Sequence, residues 1–484
     1  MNFQVQVEQG RYERILLVIF ILTLPLLNPW VRGDGVGYYA YARAPLIEHN
    51  LDFTRDYQSA NESFREGRCD VNGQPKTEFR TRTGHLDNHF TVGPAMLWSP
   101  FLLVTHDGVL LARALGSKTP ADGFSAPYRY AMAFATGLYG FLALLLSFRL
   151  ARKYVGPTWS FVATLAIWWA SSLPVYMYFN TSWSHAHSAF MVALFLWYWD
   201  ATRDHRDLRQ WVLLGLIAGL MLDVYYANLM IMVVLLVEAL PQYAHILQSG
   251  RQASPSFTQL LGRHLLFALV VFLVMIPTFA SRWVVYGGPF ETGYPSLRGF
   301  LWRDPVFFSV LFSANHGLLA WTPILTLSII GLVLFATRIP RVGVPILAAS
   351  LAFYLFISFY PYWAGISSFG NRFFLSLTTL FVLGLAFLLE RFASLFARPR
   401  IALSFASAAL ACFVLWNLGL IYQWGTHLVP ARGPISFHQA AYNQFHVVPT
   451  QLTAHLRAYL LRRAELMQQI EKRDIEQMKN NAQP

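Results

Sequence analysis

The residues best suited to chemistry lie in Arg32-Gly-Asp-Gly-Val-Gly-Tyr-Tyr39, directly after a first apolar run, Ile15 to Val31. A carboxylate is costly in hydrocarbon, so Asp34 belongs at the lipid-water boundary or in a protein cavity opening onto it. Two readings of it stand side by side: a base facing a membrane-held substrate, or a solvated acid in a glycine-rich exit turn. Gly33, Gly35 and Gly37 permit a tight turn, and Tyr38 to Ile47 reads as a short helix whose tyrosines anchor at headgroup level. Three polar clusters flank later apolar runs: Asn180, Ser184, His185 and His187; Asn315 and His316; Ser367, Ser368, Asn371 and Arg372. Singly, each has an ordinary role, the histidines bonding helix ends and Arg372 snorkelling to headgroups. Together with Asp34 they make an acid plus several cationic and hydrogen-bonding groups. That set suits proton abstraction from an acceptor hydroxyl and stabilisation of a departing phosphate. His185 and His187 are two apart and so do not share a helical face, and the first loop has no Asp-x-Asp, so no metal or other cofactor is expected.

The elements that must position these groups follow from composition. The 484 residues are 55% hydrophobic, 16% aromatic and 13% charged, with repeated long apolar runs. This is the signature of an all-α polytopic membrane protein. The net charge of +12 does not point to nucleic acid, because Lys and Arg fall in short segments between apolar runs. The two cysteines, Cys69 and Cys412, make no disulfide framework or metal site. Arg11 and Arg14 precede the first run, which places the N-terminus in the cytoplasm and Asp34 on the far side. No small-residue cleavage site appears between Leu24 and Trp30, so this run is expected to remain as an anchor.

The first outer loop, 32–127, carries Lys76, Glu78, Arg80, Arg82, His85, Asp87 and His89, a cluster that reads first as a solvated face and second as a lipid-phosphate contact. Val92 to Leu115 is long enough to span, but Pro94, Pro100 and the His106-Asp107 pair predict broken juxtamembrane helices instead. Spans then follow at Tyr128–Leu150, Thr158–Leu173, Ala186–Trp199, a hairpin Trp211–Leu240 turning near Asp223 and Asn228, and His264–Tyr286. After the second outer loop, 287–316, come Leu318–Thr337, Val344–Tyr360, Phe373–Leu389 and Ile401–Tyr422. Basic residues at Arg149 to Lys153, Arg203 to Arg209, Arg251 and Arg263, Arg338 and Arg341, and Arg391 to Arg400 keep one parity across about eleven spans. Residues 1–422 thus form a transmembrane domain. The tail, 423–484, lies outside, and its amphipathic part, Leu452 to Met478, is expected on the membrane surface.

An acid just beyond the first span, a long outer loop, the segments Val92-Gly93-Pro94 and Trp98-Ser99-Pro100, and a second outer loop resemble the GT-C class of membrane glycosyltransferases. Ser184-His185-Ala186, Asn315-His316-Gly317-Leu318 with Trp321-Thr322-Pro323, and Ser368-Phe369-Gly370-Asn371-Arg372-Phe373 look like segments of bacterial relatives of protein O-mannosyltransferases and the lipid A aminoarabinose transferase. The resemblance runs to about Tyr422. It implies sugar transfer from a polyprenyl-phosphate donor to a glycan, lipid or protein acceptor outside the cytoplasm of a bacterial inner membrane, with inversion and with Asp34 as general base. The family's second acidic neighbour is Gly35 here and its Lys-Pro-Pro is Val-Gly-Pro, which reassigns the donor phosphate to Arg80, Arg82, His316 or Arg372. Tyr38, His185, His187, Asn315 and Asn371 are left to the sugar or acceptor. Two alternatives stand: a transporter or lipid flippase using Asp34, Asp223 or His185, and a polymerase or ligase with a diphosphate-linked donor.

Overall fold

The computed structural model describes residues 3–249 and 255–481, so Arg251 lies outside the described residues. Apolar runs that face lipid must satisfy their backbone hydrogen bonds internally, and these runs do so as helices. Helix α1 (Phe3–Thr23) leads into a loop carrying α2 (Asp34–Arg43), α3 (Thr54–Gln58), α4 (Glu62–Arg68) and α5 (Gly93–Ala114). The bundle continues with α6 (Ala126–Ala151), α7 (Pro157–Trp169), α8 (His185–Thr202), α9 (Leu208–Val224), α10 (Val233–Ser249), α11 (Phe257–Val274) and α12 (Ile276–Tyr286). After α13 (Phe307–Phe312) come α14 (Leu318–Trp321), α15 (Ile324–Arg338), α16 (Pro340–Phe359), α17 (Thr378–Ala393) and α18 (Pro399–Gly425). The tail forms α19 (Phe437–His446), α20 (Val448–Leu461) and α21 (Arg463–Asn481). Two isolated β-bridges, Cys69 with Pro75 and Arg80 with Leu86, are the only β-pairings among the described residues.

Among the described residues, seven helical stretches are long and apolar enough to cross a membrane. Their outward leucines and phenylalanines, such as Leu236, Leu265, Phe272, Leu351 and Phe405, are exposed, as a lipid-facing belt requires. The protein is a multi-pass membrane bundle. Helix α17 runs through its centre, and it crosses α15 so closely that a Cβ on Gly331 would meet the backbone of Gly384. The span through α17 is 89% buried. Helix α1 instead, among its described side chains, buries Leu16 and Phe20 and shows Leu17, Val18, Ile21 and Leu22 to the outside.

The two ends of the bundle are chemically distinct. At the basic end, Glu13 meets Arg149 at 2.8 Å and Arg152 at 3.1 Å, Lys153 meets Asp200 at 2.8 Å, and Arg206 lies 3.6 Å from Glu238. These contacts gather the middle of α1, the end of α6, the end of α8 and the first half of α10. At the opposite end the first loop, the second loop and the tail fold together over a cleft.

Two expectations change. The segment predicted to be broken is one helix, α5, with Pro100 inside it. Proline removes one backbone hydrogen bond, and burial of Leu97, Trp98 and Leu102 against the bundle outweighs that loss. Helix α5 lies antiparallel to α6: His106 Nδ1 pairs with the Tyr128 hydroxyl at 2.6 Å, Trp98 Nε1 donates to Thr136 at 2.9 Å, and the Tyr139 hydroxyl donates to the Leu97 carbonyl at 3.1 Å. Its start is therefore level with the middle of α6, and it runs back to the cleft end without joining the two ends. The α2 tyrosines do not anchor in headgroups either. Tyr39 donates to the Gly123 carbonyl and Tyr41 to that of Asn88, at 2.6 and 2.8 Å, and both are buried. In the tail, α21 clasps the first loop through Glu471, Asp474 and Lys479, while Leu452, Leu456, Leu460 and Leu461 of α20 stay exposed.

Candidate active site

A cleft of about 300 Å³ opens at the loop-covered end. Its walls come from the first loop (Asp34, Asn61, Phe64, Arg68, Phe79, His89), the bundle mouth (Asn180, Trp183, Ser367, Arg372) and the tail region (Trp424, Arg432, Asp474). Asp34 is the first residue of α2, where helix amides favour a carboxylate. Gly33 before it has φ 54°, a left-handed conformation, and a Cβ there would stand 3.3 Å from Trp183. The turn is therefore built on glycine. Arg372 Nη1 meets Asp34 Oδ2 at 2.9 Å, with the arginine 11% and the aspartate 33% exposed.

Asp34 is held in place by a sequence of bonds between residues 28–38 and 178–184. Asn28 N donates to the Tyr178 carbonyl (2.7 Å), Thr181 to the Asn28 carbonyl (2.6 Å), Ser182 to the Trp30 carbonyl (3.5 Å) and Trp183 Nε1 to the Arg32 carbonyl (3.1 Å). Ser184 then donates to the Tyr38 hydroxyl at 2.9 Å. A π-helical turn, Val175–Phe179, precedes this run. Such wide turns displace the following residues from the helical path and recur at functional sites. Arg372 starts a 3₁₀ turn, Arg372–Leu377, that passes into the buried α17. Its guanidinium lies 4.4 Å from the centre of the Trp183 ring, and its Nε is buried with no hydrogen-bond partner.

Of the residues singled out in the sequence, the cleft walls contain Asp34, Asp87, His89, Asn180, Ser367 and Arg372. Tyr38, His185, His316 and Asn371 are buried behind them. The Tyr38 phenol is held above its ordinary pKa by burial, so it stays protonated. His185 packs on Tyr176 and Tyr225 at 4.9 and 5.8 Å. His316, at φ 61°, pairs through Nδ1 with Asn315 Oδ1 at 2.9 Å and stacks on Trp321. Burial, and then the Arg372 charge, push its pKa down to about 4, so it is a neutral ring at neutral pH. Asn371 donates to the Trp363 carbonyl at 3.2 Å and leaves Oδ1 unpartnered. His187 sits apart, wedged between Trp98 and Tyr139 at 5.1 and 5.4 Å. Arg80 and Arg82 are not brought to Asp34. They lie on the exposed rim, Arg80 bonding the Gly84 carbonyl and Arg82 the Tyr286 carbonyl, each at 2.7 Å. There they close a hairpin and tie the two long loops together.

Several cleft residues carry little sequence signal. Asp474, on α21, accepts from His427 at 2.8 Å and lies 3.6 Å from Arg32. Burial alone would raise its carboxyl, but the His427 hydrogen bond and the Arg32 charge outweigh that and hold it below the ordinary carboxylate range. Glu471 accepts from Asn61 Nδ2 at 2.8 Å and from Ser63 N at 2.5 Å, while Arg463 donates to the carbonyls of Leu27 and Pro25. Arg282 donates to the carbonyls of Asn88, His89 and Phe90 at 2.8, 2.9 and 2.7 Å and so shapes the first-loop wall. An arginine inside an apolar run was a readable sign that a buried acceptor set awaited it.

Fold and cleft together define a multi-pass helical membrane protein with a polar site at one end. No protein-family model matches the sequence, and no curated protein matches it. Among solved structures it is similar to ArnT from Cupriavidus metallidurans in the apo state, with a TM-score of 0.48 and 15% identity over 86% of this chain and 71% of that one. It is likewise similar to the same protein bound to undecaprenyl phosphate, with a TM-score of 0.46 and 14% identity over 85% and 71% of the two chains. ArnT is the lipid A aminoarabinose transferase, a GT-C glycosyltransferase.

Proposed function

We propose that this protein transfers a hexose or pentose from a polyprenyl-phosphate donor to an acceptor hydroxyl on the extracytoplasmic face of a bacterial inner membrane. The observation that carries the proposal is the pairing of Asp34 with Arg372 at 2.9 Å on the wall of a cleft at one end of an apolar bundle. The basic residues at the other end favour a cytoplasmic position for it, which puts the cleft outside. Arg372 spends one donor on Asp34 and has a buried Nε to spare, so a phosphate oxygen can engage it. As a phosphate oxygen takes over the Arg372 donor, the carboxylate is released to the acceptor. Asp34 then takes the acceptor proton, the acceptor oxygen bonds to the anomeric carbon, and the carbon-oxygen bond to phosphate breaks with its electron pair on phosphate. Attack from the face opposite the phosphate inverts the anomeric centre.

The test is Asp34→Asn, assayed with a panel of undecaprenyl-phosphate-linked hexoses and pentoses and a membrane extract as the acceptor source. General-base assistance is worth roughly a hundred- to ten-thousand-fold, so turnover should fall by that factor. Undecaprenyl phosphate should bind at least as tightly as to wild type, since Arg372 loses its competitor. Near-normal turnover would remove Asp34 from the mechanism. A transporter reading finds support in Asp223, buried with Oδ1 accepting from Thr278 at 2.5 Å and Oδ2 unpartnered. It requires Asp223→Asn, and not Asp34→Asn, to abolish function.

A further inference from the structure

We infer that Trp183 is the positioning residue of this reaction, its indole N–H fixing the Asp34 turn and its ring face fixing the Arg372 guanidinium, so that base and phosphate-binding cation keep one relative geometry. The inference rests on the proposed function and deepens it. Trp183 lies on the cleft wall and is 4% exposed. Three of its faces are engaged at once. The N–H donates to the Arg32 carbonyl at 3.1 Å, two residues before Asp34. The edge of its six-membered ring faces Gly33, where an added Cβ would stand 3.3 Å from Cζ2. The ring carries the Arg372 guanidinium at 4.4 Å, and Tyr176 and His185 brace it at 5.7 and 6.1 Å.

Physical differences between these contacts give them separate jobs. A guanidinium held only by a hydrogen bond must follow its acceptor. One held by its flat face on an aromatic ring keeps its plane while its edge donors change partners. That is what the proposed exchange asks of Arg372, which leaves Asp34 for a phosphate oxygen without leaving the site. Other cations of the cleft also lie on rings, Arg68 on Phe64 at 4.2 Å and Arg32 on Trp30 at 4.5 Å. Neither of those rings is hydrogen-bonded to the turn that carries Asp34. Trp183 couples the two functional groups because it touches both.

Two substitutions separate the contacts. Trp183→Phe keeps a ring face and loses the N–H; turnover should fall about tenfold while undecaprenyl phosphate binds as to wild type. Trp183→Leu loses both; turnover should fall further and affinity for undecaprenyl phosphate should also drop, by three- to tenfold. The measurements are kcat and KM with the lipid-linked sugar panel, binding of radiolabelled undecaprenyl phosphate in nanodiscs, and melting temperature for each variant. Wild-type kcat and affinity in Trp183→Leu overturn the inference, as does a Trp183→Phe variant that loses affinity and keeps turnover. A wild-type protein that neither binds undecaprenyl phosphate nor transfers sugar overturns the proposed function, and this inference with it.

Discussion

At the basic end of the bundle, Asp200 is 2% exposed and accepts from Lys153 at 2.8 Å and from the Tyr154 hydroxyl at 2.5 Å, with Arg203 at 3.3 Å. Glu390 accepts the Gly156 amide at 2.6 Å, and Glu238 accepts the Trp199 indole at 2.6 Å. Arg152 Nη1 and Trp211 Nε1 are buried without a hydrogen-bond partner at this end, whereas at the cleft end such atoms gather, Arg372 Nε, His316 Nε2, Asn371 Oδ1, Asn88 Oδ1 and Asn61 Oδ1 among them. Buried polar atoms in folded proteins are nearly always paired, so a concentration of unpaired ones around a cleft marks capacity held for a ligand. Acids at the first end serve stability; in the proposed reaction, Asp34 at the second serves a substrate.

Exchanging the roles of the two ends is the strongest challenge to this contrast. Asp34→Asn should give the largest effect on turnover, as set out above, with a smaller loss of stability than Asp200→Asn because the Asp34 carboxylate is 33% exposed. Asp200→Asn should do the reverse. It leaves Lys153 and Arg203 without their carboxylate and should cost about 3 kcal/mol, the low end for breaking a buried pair because Lys153 is 36% exposed. Turnover per folded molecule should stay at the wild-type value, and a lower kcat without a lower melting temperature would erase the distinction. A smaller effect sharpens the cleft side alone. Arg372→Lys keeps the charge but loses the planar fork, so undecaprenyl phosphate should bind about tenfold more weakly with folding intact. Unchanged affinity in both Arg372→Lys and Arg372→Ala would exclude Arg372 from phosphate binding.

How far the sequence disclosed this arrangement depended on range. Asp34 and Arg372 were legible because each sits beside an apolar run, and basic-loop parity puts both run-ends on one face. Parity says nothing about which groups on that face touch, so His185 and His316 were placed beside Asp34 when packing puts them behind it. Arg80 and Arg82 looked equal to Arg372 in charge. What separates them is that a hairpin faces them outward, and a bridge between Arg80 and Leu86 has no periodicity to read. The tail was the hardest. Asp474 reaches Arg32 across more than four hundred residues through polar contacts, and helical amphipathicity cannot tell a loop surface from a lipid surface. The Trp183 contacts were hidden for a similar reason, since a tryptophan near a membrane interface already has an ordinary explanation.

The contrast between the half-naked α1 and the enclosed α17 has a mechanical consequence. Asp34 hangs just past the end of the first and Arg372 caps the second. A helix with a lipid-facing side answers hydrocarbon mismatch by tilting, whereas one jammed against a glycine crossing does not. Bilayer thickness therefore pulls on the Asp34 turn against the Trp183 contacts that hold base and cation together. Turnover in nanodiscs of graded acyl length should peak at one thickness and fall on either side, while a flat response would mean that the bonds between residues 28–38 and 178–184 hold Asp34 against the pull.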